Sequence, residues 1–152
     1  FGASDVQDLN WVQLLNAYTC TECGRCTSVC PANITGKKLS PRKIMMDTRD
    51  RLQEVGNNID ANKGIFVPDN KSLLNDYITP EELWACTSCN ACVEECPVNI
   101  SPLSIIMDMR RYLVMEQSAA PTTLNAMMSN VENNGAPWPY NQQDRLNWKD
   151  EN

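Results

Sequence analysis

Two stretches carry most of the chemistry this chain can do: CTECGRCTSVCP, residues 20–31, and CTSCNACVEECP, residues 86–97. Each reads Cys-x2-Cys-x2-Cys-x3-Cys-Pro. Together they use all eight cysteines: Cys20, Cys23, Cys26 and Cys30, then Cys86, Cys89, Cys92 and Cys96. A cubane iron–sulfur core needs four thiolates at the corners of a tetrahedron, and three cysteines at i, i+3 and i+6 let one tight loop cover three of them. The fourth corner has to come from elsewhere. Where two such runs share a fold, the last cysteine of each, held off by a longer gap and a proline, ligates the other run's cluster. On that pattern one [4Fe-4S] cluster takes Cys20, Cys23, Cys26 and Cys96, and a second takes Cys86, Cys89, Cys92 and Cys30.

The competing reading of the same residues is structural zinc. Zinc sites usually combine a Cys-x2-Cys pair with a second pair or with histidines about 12 or more residues away, and this chain has no histidine. Two complete four-cysteine runs favour the cubanes, with zinc or a three-iron form as the alternative. A disulfide framework fits less well, because cysteines this closely spaced read as metal or redox ligands.

Composition limits the partners and the core. The formal net charge is −6 over 152 residues, which argues against nucleic acid. No apolar run approaches the roughly 20 residues of a membrane span. Leu, Ile, Val and Phe make up only about a fifth of the chain, close to the composition at which an acidic chain risks disorder. Bound clusters are therefore expected to supply part of the stability, by cross-linking distant segments as a structural metal does.

The elements that must position the cysteines follow from periodicity and caps. WVQLLNAY, 11–18, sets Trp11, Leu14, Leu15 and Tyr18 at i, i+3, i+4 and i+7, which predicts a short helix with that face buried and Asp8 or Asn10 as cap. It runs directly into Cys20. After each fourth cysteine the text repeats: CPANITGKKLSPRKIMMDTRDRL matches CPVNISPLSIIMDMRRYL once Thr35 to Leu39 are taken as an insertion. Ser40 and Ser101 stand as N-caps, with Pro41 and Pro102 at the first helical position. Helices are expected over about 41–55 and 102–116, with Ile44, Met45, Thr48 and Leu52, and Ile105, Ile106, Met109 and Leu113, facing inward.

By this alignment Ile34 and Ile100 hold equivalent places and are expected to lie against the clusters, excluding water. Backbone amides near Thr21, Gly24, Thr87 and Asn90, and the side chains of Thr27 and Ser88, are candidates to hydrogen-bond the sulfurs. The basic residues Lys37, Lys38, Arg42 and Lys43, with Arg110 and Arg111, read as a solvated face, a docking patch being the alternative.

Residues 56–78 break the helical pattern, and GIFV and KSLLN around PDN suggest a small hairpin. Thr79, Pro80 and Glu82 restart a helix through a capping box and deliver the chain to Cys86. A further helix is expected over about Thr122 to Asn133, ended by Gly135. Trp138, Tyr140 and Trp148 lie in a polar tail, and are expected to pack back over the clusters or to meet a further domain.

With the two runs, CPANITGKKLSPRKIMMDTR and ELWACTSCNACVEECP in view, residues 8–116 resemble the α-helical dicluster ferredoxins. That group includes the iron–sulfur subunits of succinate dehydrogenase and fumarate reductase and the C-type subunit of heterodisulfide reductase. More narrowly, FGASDVQDLNW, TCTECGRC and TGKKLSPRKIMMDTRD are similar to the iron–sulfur region of heterodisulfide-reductase-related membrane oxidoreductases. The resemblance implies the same eight cysteine ligands and electron carriage on the cytoplasmic face of a membrane. The donor it implies is a soluble redox protein such as an electron-transfer flavoprotein, and the acceptor is menaquinone. The quinone and disulfide roles of those proteins carry over to no residue here, because the chain has no CCG motif and no histidine for haem.

The expected architecture is thus mostly α: a helical ferredoxin with two [4Fe-4S] clusters, built from a Cys-loop-plus-helix unit used twice. Residues 1–116 form the dicluster domain, with 79–116 as the second repeat, and 117–152 form a helix and tail leading toward a missing domain. The expected function is single-electron relay in a cytoplasmic module with no catalytic residue of its own; the alternative has clusters or zinc serving only as structural staples. Removing the metal is expected to leave the chain largely unfolded. Circular dichroism and thermal unfolding of metal-free protein check this, and a native spectrum with a cooperative transition contradicts it.

Overall fold

Two serine–proline pairs start the two helices that organise the molecule. The computed structural model describes residues 1–150. It divides into a larger unit, Phe1–Gln117, and a smaller one, Ser118–Asn152. In the larger unit, α1 (Trp11–Thr19), α2 (Arg25–Ser28), α3 (Pro31–Ile34) and α4 (Pro41–Ala61) make the first half, and α5 (Pro80–Ala85), α6 (Ala91–Glu94) and α7 (Pro102–Met115) the second. The described residues contain no strand.

Helices α4 and α7 begin alike. Ser40 Oγ accepts the Lys43 N–H at 3.3 Å and Ser101 Oγ the Ser104 N–H at 3.3 Å, with proline at the first helical position of each. Their inward faces are those the periodicity predicts: Ile44, Met45 and Thr48 on α4, and Ile105, Ile106, Met109 and Leu113 on α7, are buried. The two helices pack on one another, α1 packs on α4, α5 on α7, and the short α2 and α6 on each other.

Three expectations change. The face of α1 rotates: Leu14 packs against the core as expected, but Trp11 is 74% exposed and Leu15 and Tyr18 are also exposed, whereas Gln13 and Ala17 are buried. Gln13 fixes this rotation. It completes a capping box with Asn10, and its Nε2 donates to Asp108 Oδ2 on α7 at 2.7 Å, while the small Ala17 lets α1 approach α4. Second, α4 continues through Gly56 to Ala61 instead of stopping near 55, carrying Ile59 onto the core. Third, the hairpin gives way to a side-chain clamp: Asn58 Oδ1 accepts the Val67 N–H and its Nδ2 donates to the Val67 carbonyl, both at 2.9 Å. The amide of Asn58 thus satisfies the backbone a partner strand would have paired. Leu73–Tyr77 follows as a wide turn with Asn75 at φ +80°, closed by the Ile78 N–H to the Leu73 carbonyl at 3.0 Å. As expected, Thr79 and Glu82 form the capping box of α5.

A buried arginine ties the amino-terminal segment to residues 62–78. Arg51 on α4 is 0% exposed. Its guanidinium donates to Asp5 (Nη2 to Oδ2, 2.7 Å), to Asp69 (Nη2 to Oδ1, 3.0 Å) and to the Lys71 carbonyl (2.8 Å). Asp5 Oδ1 also accepts the N–H of Val6 and of Leu73, so one carboxylate joins three segments. The Arg51 hydrogen bonds hold Asp69 down to about 2 from an ordinary 3.8.

The smaller unit holds α8 (Thr122–Asn134), stopped at the left-handed Gly135, and a 3-10 stretch Gln142–Lys149. Arg145 Nη2 donates to the Gly135 carbonyl at 2.6 Å, and Trp138, Tyr140 and Trp148 stay exposed.

Removing one partner from a buried ion pair typically costs 3–5 kcal/mol. Because Asp5 and Asp69 keep some contact with solvent, Arg51→Met is expected to cost about 3 kcal/mol. The depressed carboxylate contributes fully above its ordinary pKa and loses that contribution only as pH falls toward about 2. The cost is therefore the same at pH 6 and pH 8, which denaturant unfolding at both values measures.

Candidate metal centre

All eight cysteines line just two cavities. Cys20, Cys23, Cys26 and Cys96 face the first, together with Cys92, while Cys30, Cys86, Cys89 and Cys92 face the second. The last cysteine of each run has crossed to the other run's cavity, and Cys92 stands between the two. Among the described residues no three Cys, Asp or Glu side chains close on the position of a single metal ion. The thiols ring a space instead, which suits a polynuclear core whose corners each bind a different iron.

Local backbone geometry makes the rings. Glu22 and Gly24 in the first loop, and Ser88 and Asn90 at the same places in the second, all have positive φ (58°, 81°, 56° and 61°). Alternating left-handed residues curl each loop so that its first three cysteines face inward. Gly24 and Asn90 then lead into the short helices α2 and α6 that carry the third cysteine.

The remaining lining is supplied by α4 and α7, each contributing to both cavities. Arg42 and Met45 of α4 face the first cavity and Pro41 the second; Leu103 and Ile106 of α7 face the second and Pro102 the first. Both helix amino termini therefore sit beside the cavities, where their positive dipole ends favour an anionic occupant.

The isoleucine expectation needs correcting. Ile100 is 3% exposed and lines the first cavity, but Ile34 is 68% exposed and lines neither. Leu39, 2% exposed, faces the second cavity in its stead. After Cys30, residues Pro31–Ile34 wind into α3 and throw Ile34 outward, whereas Asn99 at φ 55° turns Ile100 in. The true equivalence is Leu39-Ser40-Pro41 with Ile100-Ser101-Pro102, the extra residues falling before Leu39. Asn33 Nδ2 closes that excursion on the Leu39 carbonyl at 2.9 Å.

The candidate donors divide. The Ser88 N–H reaches Cys86 Sγ at 3.4 Å and the Ile100 N–H reaches Cys96 Sγ at 3.3 Å. Cys89 is held below the usual thiol range by the Ala91 amide and then by the Thr87 hydroxyl. Thr27 Oγ1 shares a hydrogen bond with Ser40 Oγ at 2.9 Å, fastening the first loop to the start of α4. The Ser88 hydroxyl turns to Met107 Sδ instead. Burial, and then the neighbouring Cys86, Cys26 and Cys30, push the Cys92 thiol up to about 11. Burial likewise raises Cys26, opposed by a hydrogen bond from the Thr27 hydroxyl and reinforced by Cys20 and Cys23. A thiol crowded in this way ionises readily only against bound cationic metal.

Of the six basic residues, Lys43 is structural: it meets Asp47 at 2.7 Å, Glu82 at 3.0 Å and the Tyr77 carbonyl at 2.8 Å. Lys38 pairs with Glu81 and Arg111 with Asp108. Arg49 and Arg110, equivalent in the two repeats, each reach their own cysteine loop.

This arrangement of thiols on a helical scaffold defines an iron–sulfur protein of the two-cluster kind. The chain belongs to the 4Fe-4S dicluster domain family, whose model matches residues 19–100, and its cofactors are two [4Fe-4S] clusters. It is an electron-transfer module of the sort found in oxidoreductases. It is 36% identical over 99% of its length to the probable iron-sulfur-binding oxidoreductase FadF of Bacillus subtilis, covering 25% of that protein. It is 34% identical, again over 99%, to the EtfAB:quinone oxidoreductase of Syntrophomonas wolfei, covering 24%. A protein of Archaeoglobus profundus, described as like the C-type subunit of heterodisulfide reductase, is 28% identical over 74% of the chain and 49% of its own length. The chain thus spans about a quarter of the first two relatives. Among the described residues no helix is long and apolar enough to cross a membrane.

Leu39→Ala, which empties a buried cavity-lining position, is expected to cost about 2–5 kcal/mol. Ile34→Ala, on the surface, is expected to change stability by less than about 0.5 kcal/mol. Denaturant unfolding of the cluster-loaded proteins separates the two.

Proposed function

We propose that residues 1–116 relay single electrons between two faces of the domain, one at Cys23 and one at Cys89, as a cytoplasmic part of a quinone-linked membrane oxidoreductase. The observation that carries this reading is the crossing of Cys96 into the cavity of Cys20, Cys23 and Cys26 and of Cys30 into the cavity of Cys86, Cys89 and Cys92, with Cys92 lining both cavities. In it Cys20, Cys23, Cys26 and Cys96 hold one centre, and Cys86, Cys89, Cys92 and Cys30 the other. A [4Fe-4S] cluster, when bound, takes up or gives back one electron with little change of structure.

The chain's own residues do the rest. Eight thiolates complete both ligand sets. Met45, Ile100 and Pro102 around the first cavity, and Leu39, Leu103 and Ile106 around the second, keep water from the interior. Low local dielectric and few moving parts keep the reorganisation on electron transfer small. Cys23 and Cys89 are the exposed members of their sets, which gives each centre a short route to a partner at the surface.

An electron-transfer flavoprotein is the proposed donor and menaquinone, reached through a membrane segment of a longer polypeptide, the proposed acceptor. Likeness to a protein described as EtfAB:quinone oxidoreductase supports the flavoprotein and a quinone as partners. Anaerobically prepared protein is expected to hold about eight irons and eight sulfides per chain, and to show two interacting reduced centres by electron paramagnetic resonance. Cys96→Ser is expected to disturb the same spectral component as Cys20→Ser, and Cys30→Ser the same component as Cys86→Ser. Zinc without sulfide, or each serine variant disturbing its own run's component, overturns the assignment.

A further inference from the structure

The two halves carry one equivalent arginine each, and the two are used differently. Arg49 and Arg110 hold the same position after the capping serines of α4 and α7, and each reaches back to the loop that opens its own cysteine run. Arg49 meets a carboxylate there: its Nη2 lies 2.6 Å from Glu22 Oε1. Glu22 stands between Cys20 and Cys23 and lines the first cavity. Arg110 meets only carbonyls. Its Nε and Nη2 donate to the Leu83 carbonyl at 3.0 and 2.6 Å, and Nη2 donates to the carbonyl of Cys86 at 2.5 Å. The guanidinium lies over Trp84, 5.0 Å from the ring centroid. Among the described residues no carboxylate pairs with it.

Carbonyl dipoles orient a guanidinium without cancelling its charge, whereas a carboxylate at 2.6 Å cancels it outright. The Cys86 side of the second cavity thus carries a net positive charge, half-buried and shielded by an indole. The matching place at the first cavity is neutral. The other charged residue lining the first cavity is Arg42, which is exposed and weakened by solvent. Reduction adds a negative charge, so a nearby uncompensated cation favours it.

We infer that Arg110 and the Arg49–Glu22 pair set the two centres at different potentials, the centre on Cys86, Cys89, Cys92 and Cys30 being the more easily reduced. The inference rests on the ligand assignment proposed above. It gives electrons a downhill direction inside the domain, from the Cys23 face toward the Cys89 face. Arg110 and Glu22 touch no iron; they act through the charge they place beside the ligands.

A redox titration of the two-cluster protein, followed by electron paramagnetic resonance, tests this on wild type and three variants. Arg110→Gln is expected to lower the higher of the two potentials, shifting that reduction equilibrium at least about threefold, or about 28 mV at 59 mV per tenfold for one electron. Arg110→Lys, which keeps the charge but loses the fork, is expected to leave that potential close to wild type. Glu22→Gln, which leaves Arg49 only the exposed Asp50, 3.6 Å from its Nε, is expected to raise the lower potential. Unmoved potentials in loaded Arg110→Gln and Glu22→Gln overturn the inference while leaving the two-cluster relay intact. It is also overturned if Arg110→Gln moves the lower potential, or if Arg110→Lys falls as far as Arg110→Gln. Should Arg110→Gln fail to load, Glu22→Gln alone decides, since its stability does not depend on the α5 carbonyls. A wild type with a single centre removes the ligand assignment and the inference together.

Discussion

Each cysteine run reaches across to complete its neighbour's cavity, and much of the architecture can be read as what that crossing demands. Cys30 and Cys96 have to leave the loops that carry the other three thiols of their runs, so a proline ends each run and the chain turns away there. Helices α4 and α7 then start between the two cavities and wall both. Because the first turn of each helix faces one cavity with its proline and the other with the next residues, neither helix can shift without disturbing both thiol sets. The short α2 and α6, which carry Cys26 and Cys92, pack against each other at the centre of this arrangement.

The periphery is held by polar interactions of a more ordinary kind. Arg51 joins the amino-terminal segment, α4 and the 62–78 segment through Asp5 and Asp69, and Gln13 joins α1 to α7 through Asp108. Lys43, Asp47 and Glu82 connect α4 to α5. A chain with so little aliphatic core uses buried ionic groups where a larger domain would use leucines. Such groups fix the orientation of the pieces more than they add net stability.

How much of this could be read from the text varies with the kind of signal. The cysteine spacing, the serine–proline starts and the α4 and α7 faces were legible because each is a local rule with a local cause. The α1 face was not, because Trp11, Leu15 and Tyr18 make a better apolar stripe than Gln13 and Ala17, and the deciding contact is an amide–carboxylate bond to a residue far away in sequence. Ile34 was misplaced by its own resemblance to Ile100: identical letters after the fourth cysteine concealed an excursion that hands the inward position to Leu39. The hairpin expectation failed on Asn58, whose side chain satisfies Val67 without a second strand. Arg49 and Arg110 were visible as a repeated letter, but their difference lies in Glu22, a residue the repeat alignment pairs with Ser88.

The shared cavities have a consequence for how such a domain is built and lost. Two independent metal loops could be filled one at a time, each stabilising its own neighbourhood. Here the fourth wall of either chamber is furnished by the opposite half, so filling the first chamber gathers the pieces of the second, and emptying one loosens the other. That geometry favours filling both chambers together over filling one alone.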